Sequence, residues 1–225
     1  MVSDLLPSYT HIVKPSLRHT YLSFDEEGNL IIKSPEVSKA YIEQLLLKKA
    51  AWITKSRKRV IQKKGKNPDF TARSLLYYKG IAYPLQIHPR LKQGTSLSFE
   101  NGIFFLYSSH QDTLHFQKHI DAFYRQEAER YLPGVVEHYS RKMQLFPEAI
   151  RFRKTKRQWG SCSGKNVLSL NTMLIKLPPP VIAYVVVHEL AHIRHKHHQR
   201  DFWNLVKRYM PDYQLQIKEL HTYTT

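Results

Sequence analysis

Residues 178–198 read PPPVIAYVVVHELAHIRHKHH, and this stretch predicts both a helix and a metal site. Prolines suit the start of a helix, because the first helical position has no intrahelical partner for an N–H group. The apolar residues 181–187 lead without interruption into the five-residue motif His188 to His192. The pattern predicts one helix, packed on most sides, that carries the motif.

The motif His188-Glu189-Leu190-Ala191-His192 has the spacing of a metal site. Residues four apart project from one face of a helix, so His188 and His192 can hold one ion, each at about 2.0–2.1 Å. Glu189 stands beside the first histidine and can take a proton from a water molecule that the metal has made acidic. The motif therefore predicts one divalent metal, expected to be zinc, and a hydrolytic reaction with Glu189 as its base.

A catalytic zinc needs a third protein ligand and an open position. The candidates follow directly, in His195, His197 and His198. His195 would lie a further turn along the same helix and stretch the site along the axis. His198 comes six residues after His192, so the chain must leave the helix and fold back to bring it near. The general zincin spacing favours His198, and His197 and His195 remain open.

The bulk composition restricts the class of protein. The chain has 225 residues, of which 42% are hydrophobic, and a formal net charge of +17. This composition predicts a folded protein with anionic partners or a solvated basic surface. The sequence shows no signal peptide, no apolar run long enough for a membrane span and one cysteine, so we expect a cytoplasmic protein without disulfides. The oligomeric state stays open.

Elsewhere, the pattern of apolar residues predicts an α+β chain with two parts. Residues 1–110 are expected to be a β-rich region with one helix that starts at Ser34-Pro35-Glu36, and residues 111–225 to be the metal-binding catalytic domain. Asp25 to Asn29 reads as a hairpin turn. Pro133-Gly134 is expected to kink or break the helix that begins near residue 112. Strands are expected at 20–24, 30–33, 75–78, 83–87, 97–99, 103–107, 150–155 and 167–170.

Several residues near the motif have two readings each. Residues 159–163 are either an edge strand that pairs with an extended substrate or a packing turn in which Gly160 permits close approach. Cys162 is either a ligand or, more commonly, a small apolar residue in the core. Asn171 either orients a ligand histidine or is a plain amide at the end of a strand. Phe202 and Trp203 are expected in the core of the last helices.

The basic run at residues 55–66 holds seven lysines and arginines. A run of this kind is usually a solvated face. Trp52 and Phe70 lie on either side, which leaves a nucleic-acid contact possible.

The order of the motifs resembles the YgjP-like metallopeptidase family, which is related to SprT-type zincins. The resemblance runs from about residue 151 to residue 220, with similar segments in the first half. It is carried by WGSCS at 159–163, LSLN at 168–171, the proline run, YVVVHELAH at 184–192, His198, Phe202-Trp203 and PDY at 211–213.

This resemblance implies a zincin-like α+β fold, with zinc held by His188, His192 and His198 and with Glu189 as the catalytic base. It implies a metallopeptidase that acts on a peptide or protein. Some members are described instead as nucleoside triphosphate pyrophosphatases acting on UTP, which is the first alternative. The second alternative is a basic nucleic-acid-binding protein with a structural metal. The presence of Glu189 argues against this alternative, because a structural site needs no base.

Overall fold

The chain folds into two units, Met1–Lys63 and Lys64–Thr225. The computed structural model describes residues 7–25, 27–71, 73–109 and 112–225. Together the units form a mixed α/β protein, as predicted. Within the described residues, no helix has the length and the apolar character that crossing a membrane requires.

The first unit is a three-stranded sheet with one helix. Strands β2 (Tyr21–Phe24) and β3 (Leu30–Ser34) pair antiparallel, as the sequence predicted. Part of the predicted turn between them lies outside the described residues, at Glu26. Strand β1 (Tyr9–Val13), which the sequence did not reveal, pairs parallel with β3. Helix α1 (Lys39–Ile61) completes the core, which is formed by Leu30, Ile32, Ile42, Leu46 and Ile53.

The start predicted for α1 was wrong. Ser34 ends β3, where it is fully buried and its hydroxyl donates to the Pro35 carbonyl at 2.7 Å. The cap is Ser38, whose Oγ accepts a hydrogen bond from the amide of Tyr41 at 3.2 Å. Both serines fit the rule for a cap, and the length of β3 decides between them.

The second unit begins with a four-stranded sheet in the order β4-β5-β7-β6. Asn101 and Gly102 have φ angles of 49° and 78° and make the tight turn between β6 and β7. An Asn-Gly pair predicts such a turn. The strands are β4 (Leu75–Tyr78), β5 (Ile81–Pro89), β6 (Thr95–Glu100) and β7 (Ile103–Ser108).

This sheet belongs to the same unit as the motif at residues 188–192, whereas the sequence suggested a boundary near residues 108–111. His110 and Gln111, at that boundary, lie outside the described residues. Phe104 and Leu106 of β7 share a core with Phe116 and Ile120 of helix α2 (Thr113–Met143). The pattern of apolar residues changes from that of strands to that of a helix at this point, but the hydrophobic core is continuous across it.

Helix α2 continues through Pro133, although the sequence predicted a kink or a break there. Its buried residues recur every four positions from Phe116 to Ser140. Proline in a helix interior costs about 3 kcal/mol. Leu132 and Val136, on either side of it, are buried in the core, and this packing offsets the lost hydrogen bond.

The remaining elements surround the motif. A three-stranded sheet has the order β8-β10-β9, with β9 at one edge. A short 3-10 helix, Thr172–Lys176, leads from it to α3 (Pro179–Arg194). The other elements are β8 (Ala149–Arg153), β9 (Gly160–Cys162), β10 (Val167–Asn171), α4 (Arg200–Tyr209) and α5 (Tyr213–Leu220).

Candidate metal centre

Helix α3 places the first two histidines. It begins at Pro179, as the sequence predicted, and most of its residues from Val181 to Ala191 are buried. His188 and His192 are half-buried on one face, with ring centroids 5.0 Å apart. Packing on the other faces restricts the helix, so the two rings are held in place by the core rather than by each other.

The chain then leaves the helix and returns. Helix α3 ends at Arg194, and His195 caps it with extended backbone angles, φ −125° and ψ 104°. No left-handed conformation is needed at this turn, so a histidine can occupy a position where glycine is common in related motifs. His198 comes just before α4 and meets the other two rings.

The structure brings together His188, His192 and His198. One ring nitrogen from each lies within 4.8 Å of the others, and these three form the one group of potential metal ligands found in the described residues. The Nε2 atoms of His188 and His198 are 3.1 Å apart. His195 and His197 are not in this group; their rings lie 6.2 Å from each other.

The three residues fit a tetrahedral ion. Two nitrogens that each lie about 2.0–2.1 Å from such an ion would be about 3.3 Å apart, close to the 3.1 Å between His188 and His198. His192 Nδ1 donates to the carbonyl oxygen of His195 at 2.9 Å, which leaves its Nε2 lone pair free for a metal. The donor set found in the described residues is therefore three imidazoles.

Burial favours the neutral form of the His188 and His192 imidazoles, which is the form that binds a metal. Burial and the neighbouring His192 and His198 lower the pKa of His188 to about 3. Burial also lowers the pKa of His192. At neutral pH, each of these two rings therefore keeps a nitrogen lone pair that can bind a metal.

Two aromatic residues of α4 hold the third histidine. Phe202 is fully buried, and its ring centroid lies 4.6–4.9 Å from those of all three histidines. The indole N–H of Trp203 donates to the His198 carbonyl at 3.1 Å. Phe202 belongs to the core and Trp203 packs against it, as predicted. The Phe202 ring lies against all three histidines, and the Trp203 ring lies against His188 and His198.

Glu189 is buried directly against strand β9. Glu189 is 6% exposed, and burial raises the pKa of its carboxyl to about 7. A Cβ atom placed on Gly160 would lie 2.8 Å from the Cγ and the Oε1 atoms of Glu189. The close approach expected at Gly160 is therefore confirmed, and residues 160–162 form an edge strand of their sheet. Pairing of this strand with a substrate stays a prediction.

We expect Gly160→Ala to reduce hydrolysis by about 10–100-fold, because the new methyl group must push the carboxylate aside and small misplacements are costly. Metal content, measured by atomic absorption, should not change. Gly164→Ala is the matched control, since a Cβ there meets nothing within 4 Å. Equal activity in the two variants would show that the position of Glu189 does not depend on this contact.

Cys162 lies at the far end of β9 and is not among the clustered ligand atoms. Its thiol is half-buried, and burial raises its pKa. Lys196 donates to the Ser163 carbonyl at 3.0 Å and to Asn166 Oδ1 at 2.6 Å. This lysine connects the end of α3 to the β9–β10 turn.

In the part of the chain that the structure describes, the Asn171 side chain makes no hydrogen bond to His188, His192 or His198. It is 2% exposed, and its amide donates to the carbonyls of Thr155 and Gln158 at 2.8 and 2.9 Å. Its Oδ1 accepts from the amide of Met173 at 3.0 Å. Asn171 thus fixes the loop between β8 and β9 and caps the 3-10 helix.

We expect Asn171→Ala to lower the free energy of unfolding by about 2–3 kcal/mol, because the Thr155 and Gln158 carbonyls and the Met173 amide lose their hydrogen bonds to a buried side chain. Urea denaturation measures this change. Asn204→Ala, at an exposed position of α4, should change stability by less than about 0.5 kcal/mol. A similar small effect at Asn171 would contradict the role given to its hydrogen bonds.

Tyr184 is the residue that sequence reasoning missed. Its hydroxyl lies 3.3 Å from His188 Nδ1, and its side chain is buried. When His188 binds through Nε2, Nδ1 carries the proton and donates it to this oxygen, which fixes the ring. The signal was present, because Tyr184 precedes His188 by one helical turn.

Comparison with known proteins gives one family. The family model described as YgjP-like, metallopeptidase domain, matches residues 18–223. No curated protein matches the chain. Among solved structures, the metallopeptidase zymogen abylysin of Pyrococcus abyssi is 22% identical over 40% of this chain and 91% of its own, with a TM-score of 0.38. The metallopeptidase zymogen jannalysin of Methanocaldococcus jannaschii is 21% identical over 39% and 94%, with a TM-score of 0.35.

Proposed function

Since this chain belongs to the YgjP-like metallopeptidase family, we propose that it is a zinc-dependent peptidase of the zincin type. His188, His192 and His198 hold the ion, and Glu189 is the catalytic base. The observation that carries this proposal is the convergence of three imidazoles, whose ring nitrogens lie within 4.8 Å of one another, beside a buried carboxyl.

Zinc is the metal that this donor set favours. Three imidazoles and an open fourth position are the arrangement of catalytic zinc sites, whereas magnesium and calcium prefer oxygen ligands. When bound, the ion supplies a Lewis acid that makes water a stronger nucleophile at neutral pH.

Glu189 handles the proton. A carboxylate at this position takes a proton from the attacking water and returns it to the departing amine. No described residue donates a hydrogen bond to its side chain, so both oxygens are available for that exchange. A cation held by the histidines would lower the pKa of the carboxyl from about 7, because it stabilises the ionised form.

Strand β9 gives the peptide a place to bind. Its partner is β10, and within the described parts of the chain nothing pairs with its other edge. Gly160, at the start of this strand, touches Glu189. An extended peptide that pairs with the free edge would therefore pass beside the base, with main-chain hydrogen bonds supplying affinity.

A nucleoside triphosphate is the alternative substrate. An open strand edge beside the base favours an extended chain, since a nucleotide would call for a closed basic pocket. For this reason we place the peptidase first.

The test is a digest of a proteome-derived peptide mixture by the zinc-loaded enzyme, read by mass spectrometry, with UTP hydrolysis measured in parallel. We expect cleaved peptides, no release of pyrophosphate or phosphate from UTP, and loss of cleavage after metal chelation. If no peptide is cleaved and UTP is hydrolysed in a reaction that chelation abolishes, the protein is a pyrophosphatase and not a peptidase. A metal-loaded protein that hydrolyses neither substrate would point to a structural metal.

A further inference from the structure

The outer face of the β8-β10-β9 sheet carries a row of polar side chains that leads to the free edge. Ser169 of β10 lies opposite Ser161 of β9 and opposite Arg151 of β8. Directly opposed residues share a face, and alternate residues of a strand do so too. Arg153 therefore also belongs to this face, while Leu168 and Leu170 point to the core, where both are fully buried.

A small cavity crosses this face from β8 to β9. Its volume is about 80 Å³, and its lining includes Arg153, Ser169, Ser161 and Gly160. Sites for whole small molecules measure about 300–1,000 Å³, so this cavity has room for one side-chain head group. Gly160, in its lining, is opposite Leu170 and therefore faces Glu189 on the other side of the sheet. The cavity and the proposed catalytic base thus lie on opposite faces of β9.

Positive charge is concentrated here. Residues 151–157 include five cations, all exposed. Lys154 pairs with Asp121 at 2.5 Å. Arg153 faces no carboxylate within ion-pair distance in the described parts of the chain. Its guanidinium is therefore free to bind a carboxylate through two N–H groups, with the serine hydroxyls as further donors.

The cavity is preformed. Thr155 and Gln158, which also line it, belong to the loop that Asn171 holds with hydrogen bonds of 2.8 and 2.9 Å. The Thr155 hydroxyl donates to the Gln158 carbonyl at 2.7 Å. A rigid wall means that little ordering is needed when a side chain enters, which favours selectivity.

We propose that this cavity is a specificity subsite, in which Arg153 binds a glutamate side chain of the substrate peptide. The proposal rests on the proposed peptidase function and names its substrate class. A peptide paired with β9 directs alternate side chains to the outer face, about one strand spacing of 4.8 Å from Ser161. Glutamate suits the site better than aspartate, because both β9 and β10 lie between the peptide and Arg153 of β8, so the longer side chain is needed.

The test uses a peptide cleaved in the digest, synthesised as Glu and Gln versions at each successive position on both sides of the cut. Binding to the inactive Glu189→Gln enzyme is measured by calorimetry, and kcat/KM is measured with the wild type. We expect kcat/KM and affinity to be about tenfold higher for Glu than for Gln. This preference should occur only at every second position of the peptide, because alternate side chains face the cavity. In Arg153→Gln the Glu-to-Gln ratio should fall towards one, and in Arg153→Glu a lysine at that position should become the preferred residue.

Arg208→Gln is the matched control, because it removes one exposed arginine of α4 and the same charge. Its Glu-to-Gln ratio should equal that of the wild type. A ratio in Arg153→Gln that equals the wild-type ratio would overturn the subsite, and so would a preference at consecutive positions. If the wild type cleaves no peptide at all, the proposed function fails instead, so the two failures are distinguishable.

Discussion

Glu189→Gln is expected to bind zinc with wild-type affinity and to lose about 10²–10⁴-fold in peptide hydrolysis, the usual contribution of a positioned acid–base group. Glutamine has nearly the same shape as glutamate, so the contact with Gly160 should survive. The amide cannot accept the proton of the attacking water. Metal titration and kcat/KM on one cleaved peptide provide the two measurements.

Glu148→Gln is the control for this substitution, because Glu148 is exposed and precedes β8. It should keep both zinc and activity. Wild-type turnover in Glu189→Gln would remove Glu189 from the role of base, and loss of zinc would mean that its carboxylate contributes to the metal site.

The features that sequence predicts well here are local. Proline at the start of α3, the apolar run and the two histidines four residues apart all lie within one helix, so spacing alone places their side chains. The family follows from the same residues together with the motifs around them, and the family model confirms it. The hairpin of β6 and β7 is also predictable from local sequence, because two residues, Asn101 and Gly102, specify its turn.

The features that sequence missed depend on distant contacts. Pro133 predicts a break in α2, but the buried neighbours Leu132 and Val136 keep the helix continuous. From the sequence, Asn171 is equally well interpreted as a partner of a ligand histidine and as a plain amide at the end of a strand. Only the folded position of the β8–β9 loop decides between these readings.

The closeness of Gly160 to Glu189 was also beyond local reasoning, at least in its details. Twenty-nine residues separate the two in the chain. A glycine in a strand indicates that something approaches closely, but the sequence does not say what. The folded chain supplies the answer, and it connects the proposed peptide-binding strand to the proposed base.

The third ligand is the point where sequence leaves most open, and metal titration of five histidine variants is expected to resolve it. His188→Ala, His192→Ala and His198→Ala should each weaken zinc binding by more than about 100-fold, since even partners outside the ligand set contribute about 10–100-fold. His195→Ala and His197→Ala should bind zinc within about threefold of the wild type, because alanine at 195 keeps the backbone carbonyl that accepts from His192 Nδ1. Geometry supports His198, whose Nε2 lies 3.1 Å from that of His188 and whose own carbonyl is held by Trp203. Wild-type zinc affinity in His198→Ala, together with a large loss in His195→Ala or His197→Ala, would assign the third ligand to the other residue.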